Sequence, residues 1–158
     1  MEKQLLQTVL TYLSALPGIY VGEDWGQLNF DKPPVNFPCA LVDMESVDYS
    51  NLPQGKQHAD AVFNITIADI FAHHVTPGMP PKHLNQELKI YDIIKDINKH
   101  LHNKAVPGYG TIKRARMEKT KRDDTIREFI ISYRICYDDS SCISNRTYTR
   151  PQAAIDIT

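Results

Sequence analysis

Cysteine is scarce and unpaired in this sequence: Cys39, Cys136 and Cys142 are an odd number with no CxxC among them. That spacing excludes a disulfide framework and a zinc knuckle, and leaves reduced thiols as the default. Long apolar runs are missing too, none approaching the roughly 20 residues that a membrane span needs. Met1-Glu2-Lys3-Gln4 leads into a segment with polar residues at every turn, so no signal peptide is expected and the chain is placed in a cytoplasm. Charge of one sign is not in excess. Eighteen Lys plus Arg against nineteen Asp plus Glu give a net charge of −1, which denies the chain a global pull on nucleic acid or anionic lipid.

The motifs of familiar chemistry are absent as well. There is no GxSxG elbow, no Walker loop and no GxGxxG turn, and Gly108-Tyr109-Gly110 is too short to cradle a phosphate. Six histidines invite a metal hypothesis, but His73-His74 are adjacent and His100 and His102 are two apart, so neither pair aims at one ion as i, i+4 residues do. Solvated surface histidines, with no metal and no cofactor, are the expectation. Cys39 has no base or oxyanion donor positioned for it by the sequence and reads as a buried thiol. Asn64-Ile65-Thr66 and Asn145-Arg146-Thr147 match the glycosylation pattern, which carries no meaning in a chain that is not secreted. No catalytic residue is predicted, and the chain is read as not an enzyme.

What is present is patterning for one α+β domain, as 158 residues suggest. Leu5, Leu6, Val9, Leu10, Leu13 and Leu16 form one apolar stripe on a helix over 2–16, ended by Pro17-Gly18. A short strand after Ile19 gives way to an irregular excursion through Gly26, Pro33 and Pro34, and Pro38 introduces a strand over Cys39–Glu45. Residues 46–57 are rich in turn formers and read as a loop. The period-two signal is clearest over His58–Phe71, where Ala59, Ala61, Phe63, Ile65 and Ile67 alternate with Asp60, Val62, Asn64, Thr66 and Ala68.

After the proline-rich connection 75–81, a helix over about 82–102 is predicted with Leu84, Leu88, Tyr91, Ile94, Ile97 and Leu101 on its buried face. Two strands, 111–122 and 125–137, form a hairpin around Asp123-Asp124. A two-residue turn opposes Lys119 to Glu128 and a three-residue loop opposes Met117 to Phe129; both registers are open at this point. The order is α-β-β-β-α-β-β. The expected architecture is a two-layer sandwich: a mainly antiparallel sheet of about four strands, with both helices packed on one face. Residues 1–138 make this domain, and 139–158 are read as an extended C-terminal tail that orders on a partner.

One local excess stands out. Lys113, Arg114, Arg116, Lys119, Lys121 and Arg122 face a single Glu118 within 111–122, a stripe of about +5 in a chain of net −1. Such a stripe suits a phosphate-bearing or acidic partner. It equally suits a solvated edge strand whose lysines discourage aggregation. Without interleaved aromatics it is a poor single-strand binder. Asp43, Glu45 and Asp48 are its possible acidic counterparts.

Several stretches carry a resemblance in pattern. They are the N-terminal helix, the Pro-led strand Phe37-Pro38-Cys39-Ala40-Leu41-Val42, the turn Asp48 to Gly55, the strand Ala61-Val62-Phe63-Asn64-Ile65-Thr66-Ile67, the helix Leu84 to Leu101, and the closing strand Arg127 to Ile135. Over about residues 3–138 the chain resembles the small tail-terminator or tail-completion (minor tail) proteins of long-tailed bacteriophages and prophages, and is longer at its C-terminus than their usual member. The resemblance implies a non-enzymatic virion part, a homo-hexameric ring that caps the tail tube, ends its polymerisation and joins tail to head. The implied partners are other copies of the chain, the tail tube protein, the head-tail connector protein and, non-specifically, the passing DNA, with no membrane. The implied location is the bacterial host cytoplasm during assembly, then the virion at the tail end near the neck. In such a ring the basic stripe would face the lumen or the neighbouring subunit. The rival expectation is a small non-enzymatic ligand-binding or regulatory domain, which calls for a defined cavity between helices and sheet.

Overall fold

The computed structural model describes residues 1–141 and residue 143. Seven elements follow in the predicted order: α1 (Glu2–Ser14), β1 (Tyr20–Glu23), β2 (Cys39–Asn51), β3 (Gln57–Ile70), α2 (Pro81–Leu101), β4 (Lys113–Thr120) and β5 (Ile126–Asp139). The sheet has five strands rather than about four, in the order β1-β2-β3-β5-β4. It is mixed, because β1 pairs parallel with β2 through Tyr20–Cys39 to Glu23–Val42 while every other pair is antiparallel.

Both helices lie on one face of the sheet. Leu5, Val9 and Leu13 of α1 and Ile90, Ile94, Ile97 and Leu101 of α2 pack against Ala61, Phe63, Ile65, Ile67, Ile131, Tyr133 and Ile135 in one core. These residues alternate along β3 and β5, so the period-two pattern aims a whole row at the helices. Phe63 and Tyr133 stack at its centre, ring centroids 5.5 Å apart. On the opposite side of the sheet, here the open face, the described residues form a covering cluster at one end. There Leu28, Val35 and Phe37 of the excursion pack on Cys39, Leu41, Ala68 and Ile126. The excursion leaves β1 through Gly26, whose φ of +87° suits glycine, and Gln27 holds the turn by accepting from the Trp25 N–H and donating to the Glu23 carbonyl.

Four sequence expectations need correction. The loop expected over 46–57 is mostly strand. β2 continues to Asn51 past a bulge between Met44 and Ser46, and only 52–56 turns the chain. The bulge adds one residue and re-phases the alternation, so Val47 returns to the helix face and the signal looks like an ending. On α2, Leu88 and Tyr91 are exposed, and Glu87, Ile90, Ile94, Ile97 and Leu101 form the inward stripe. Glu87 takes an inward place because its carboxylate accepts from the N–H groups of Ala72 and His73, both at 3.1 Å, and pairs with Arg127. The hairpin adopts neither expected register: Lys119 opposes Phe129 and Met117 opposes Ile131. A second bulge, between Arg114 and Arg116, then sets Arg114 opposite Tyr133. Finally, β5 runs to Asp139, one residue into the expected tail; apart from Ser140, Ser141 and Ile143, the rest of that tail lies outside the described residues.

Candidate interaction surface

β4 is an edge strand, exposed along Lys113–Lys119 on both faces. Pairing places Lys113 beside Arg134 and Arg116 beside Ser132 on the open face, while Arg114, Met117 and Lys119 stand on the helix face opposite Tyr133, Ile131 and Phe129. Arg116 is 72% exposed and forms an ion pair with Glu118. The N–H of Arg114 donates to His102 Nδ1 at 3.1 Å, so the part of the edge left without a partner among the described residues runs from Ala115 to Thr120. Lys121 is exposed in the turn.

Arg122 differs from the other five cations. Its guanidinium folds back over the turn, donating to Asp124 at 2.7 Å, to Glu128 at 2.8 Å and to the Leu28 carbonyl at 2.7 Å. These partners hold its proton more firmly than usual, and Arg122 in turn holds the Asp124 carboxyl below the usual carboxylate range. Arg122 thus ties the β4–β5 turn to the excursion and is spent on the fold.

The three acidic residues lie on the opposite side of the sheet. Asp43 and Asp48 stand on the open face of β2, opposite Asn64 and Asp60, and Glu45 occupies the bulge. All three are exposed. Two strands, β3 and β5, separate them from β4, about 14 Å at three inter-strand spacings of roughly 4.8 Å, so the two sets do not pair within one chain. Burial raises the Asp43 carboxyl above its usual range, and the neighbouring charges of Asp24, Glu45 and Glu23 raise it further. β1 covers β2 only from Cys39 to Val42, and the Asp24 N–H closes the match on the Val42 carbonyl at 2.9 Å. Beyond it, among the described residues, the outer edge of β2 has no strand partner.

Composition and charge gave no hint of the exposed aromatic and apolar side chains near these two edges. Trp25 and Phe30, 61% and 56% exposed, meet edge to face with centroids 5.6 Å apart just after β1. Beside β4, Val75, Leu88 and Tyr91 line a shallow groove with Lys119, and Met117 is exposed on the same face. A reading of α2 that allowed Glu87 inward would have found Leu88 and Tyr91.

The thiol of Cys39 is fully buried and pushed up to about 12, so it is protonated and inert at neutral pH. Among the described residues no three His, Cys, Asp or Glu side chains converge as a metal would require. A cleft of about 790 Å³ lies at the rim between the excursion and the β4–β5 turn, and among the described residues core side chains fill the space between helices and sheet.

No protein-family model matches this chain, and no curated protein matches it. A solved structure does. The chain is similar in fold to a chain of a structure described as the virion of a native gene transfer agent particle, with a TM-score of 0.51 over 80% of this chain and 84% of that one. Identity between the two is 14%, a level at which the likeness is one of fold.

Proposed function

We propose that this protein is a non-enzymatic structural part of a phage-like particle, which caps the end of the tail tube as a ring of six copies, stops its growth and offers the surface to which the head connector binds. The observation that carries the reading is the fold shared, across most of both chains, with a component of a gene transfer agent virion. The sequence resemblance to tail-terminator proteins points the same way. Two unlike, oppositely charged strand edges also suit a part that repeats head to tail, since such contacts close into rings or run on as filaments. An interlayer filled by core side chains among the described residues favours an assembly part over a ligand-binding domain. In this reading the tube protein, the connector and the passing DNA are its partners, and it works in the host cytoplasm and then in the particle.

Removing the gene from a genome that produces particles tests the role. Loss of a cap leaves tube growth unchecked, so electron micrographs are expected to show over-long tails without heads. Particles of normal length and normal infectivity would overturn the proposal.

A further inference from the structure

We infer that copies of this chain join by adding the β4 edge of one, Ala115–Thr120, to the uncovered β2 edge of the next, Asp43–Asn51, so that one sheet runs on across the boundary. The stoichiometry of six rests on the tail-cap reading; the contact itself rests on the two edges.

Three observations support it. First, each edge leaves backbone donors and acceptors without a strand partner among the described residues, and strand addition satisfies both at once. Strand directions agree: β4 runs antiparallel to β5, β5 to β3 and β3 to β2, so a sheet continued in the same sense sets β4 antiparallel to the next β2. Second, the charges are complementary on the same face. Continuing the sheet without flipping it brings Lys113 and Arg116, which outnumber the single carboxylate Glu118 on the open face of β4, alongside Asp43 and Asp48, on the open face of β2. The self-pairings are opposed by the same charges: β4 on β4 sets lysine and arginine against their like, and β2 on β2 sets carboxylates together. A lysine-rich edge that only resisted aggregation would need no acidic edge across the molecule. Third, apolar surface flanks both edges, Met117, Leu88 and Tyr91 at one and Trp25 at the other, all more than a third exposed. Aromatic and methionine side chains are the ones that subunit interfaces gather.

The test uses the full chain. Two pairs of substitutions are made, Lys113→Glu with Arg116→Glu, and Asp43→Lys with Asp48→Lys, all at exposed positions, and circular dichroism melts confirm that each variant folds. Native mass is read by sedimentation across a concentration series. Wild type is expected as a discrete oligomer, each double variant as a monomer, and an equimolar mixture of the two as an oligomer of wild-type mass in which the variants alternate, because both mixed edge pairings are complementary while each self-pairing is repulsive. A chain carrying all four substitutions is expected to recover the wild-type mass. If both double variants keep the wild-type mass, this contact is wrong and the ring stands on another surface. If the four-substitution chain stays monomeric while folded, pairing of these two edges is overturned. Wild type that is monomeric at every concentration overturns the contact and the free ring together.

Discussion

At the scale of single residues, Gly110 and Tyr133 show what close packing costs here. The Gly110 N–H donates to the Cys136 carbonyl at 2.7 Å, and a Cβ on Gly110 would sit 2.9 Å from that same oxygen. The obstacle is backbone and cannot swing away. Gly110→Ala is therefore expected to destabilise by about 1–3 kcal/mol, the range for forced overpacking, whereas Gly78→Ala, with nothing within 4 Å of its Cβ, should leave the urea midpoint nearly in place. Tyr133 presents the reverse problem. Its ring is fully buried against Phe63 and its hydroxyl has no partner among the described residues; burial also pushes its pKa up to about 12. Removing an unpaired hydroxyl recovers its desolvation cost, so Tyr133→Phe is expected to be neutral or stabilising by about 1 kcal/mol in the same titration. The alternation of β5 foretold that Tyr133 faces inward. Nothing in the order of residues told that its hydroxyl would find no acceptor, because that depends on side chains brought in from β3 and the helices.

At the scale of elements, two polar ties hold the sandwich together. Arg122 joins the β4–β5 turn to the excursion, and its loss would leave Glu128, 7% exposed, without its cation. Arg122→Ala is expected to cost about 3 kcal/mol, as breaking one side of a buried pair does, and to expose the turn to early proteolysis. The second tie is Glu2, at the start of α1. Its carboxylate accepts from Tyr49 of β2 and, at 2.9 Å, from Tyr137 of β5. The Tyr49 hydrogen bond is the main cause that lowers its pKa from 4.5 to about 2. A group with a depressed folded pKa stabilises fully above its unfolded value, and that contribution fades as pH falls from about 4.5 toward 2. Glu2→Gln is therefore expected to flatten the melting temperature over that acidic window, by a small amount because the side chain is 43% exposed. The positions of the elements were legible from period two and period 3.6 alone. Their lengths and registers were less so, because the bulges at Glu45 and Ala115 each insert a residue that only the partner strand reveals.

At the scale of the whole molecule, the small net charge conceals a division. Cations gather at the β4 edge and carboxylates at the β2 edge, and the strands between them, β3 and β5, are themselves acidic on balance. Association through such edges is expected to weaken with salt, since the screening length falls from about 10 Å at 0.1 M to about 3 Å at 1 M. Sedimentation at the two ionic strengths measures this: the proposed ring of six 18.0 kDa chains, about 108 kDa, should dissociate more readily at the higher one.

The sequence by itself determined the class of fold, the order of seven elements, the inward rows of β3 and β5 and the basic character of 111–122, because periodicity and charge are local properties of the chain. Only the tertiary structure decided that β1 joins parallel to β2, that Arg122 belongs to the fold while Lys113 and Arg116 remain outward, and that the carboxylates of β2 lie across the sheet from them. Strand order is set by which edges meet after distant segments pack, and no run of neighbouring residues carries that information.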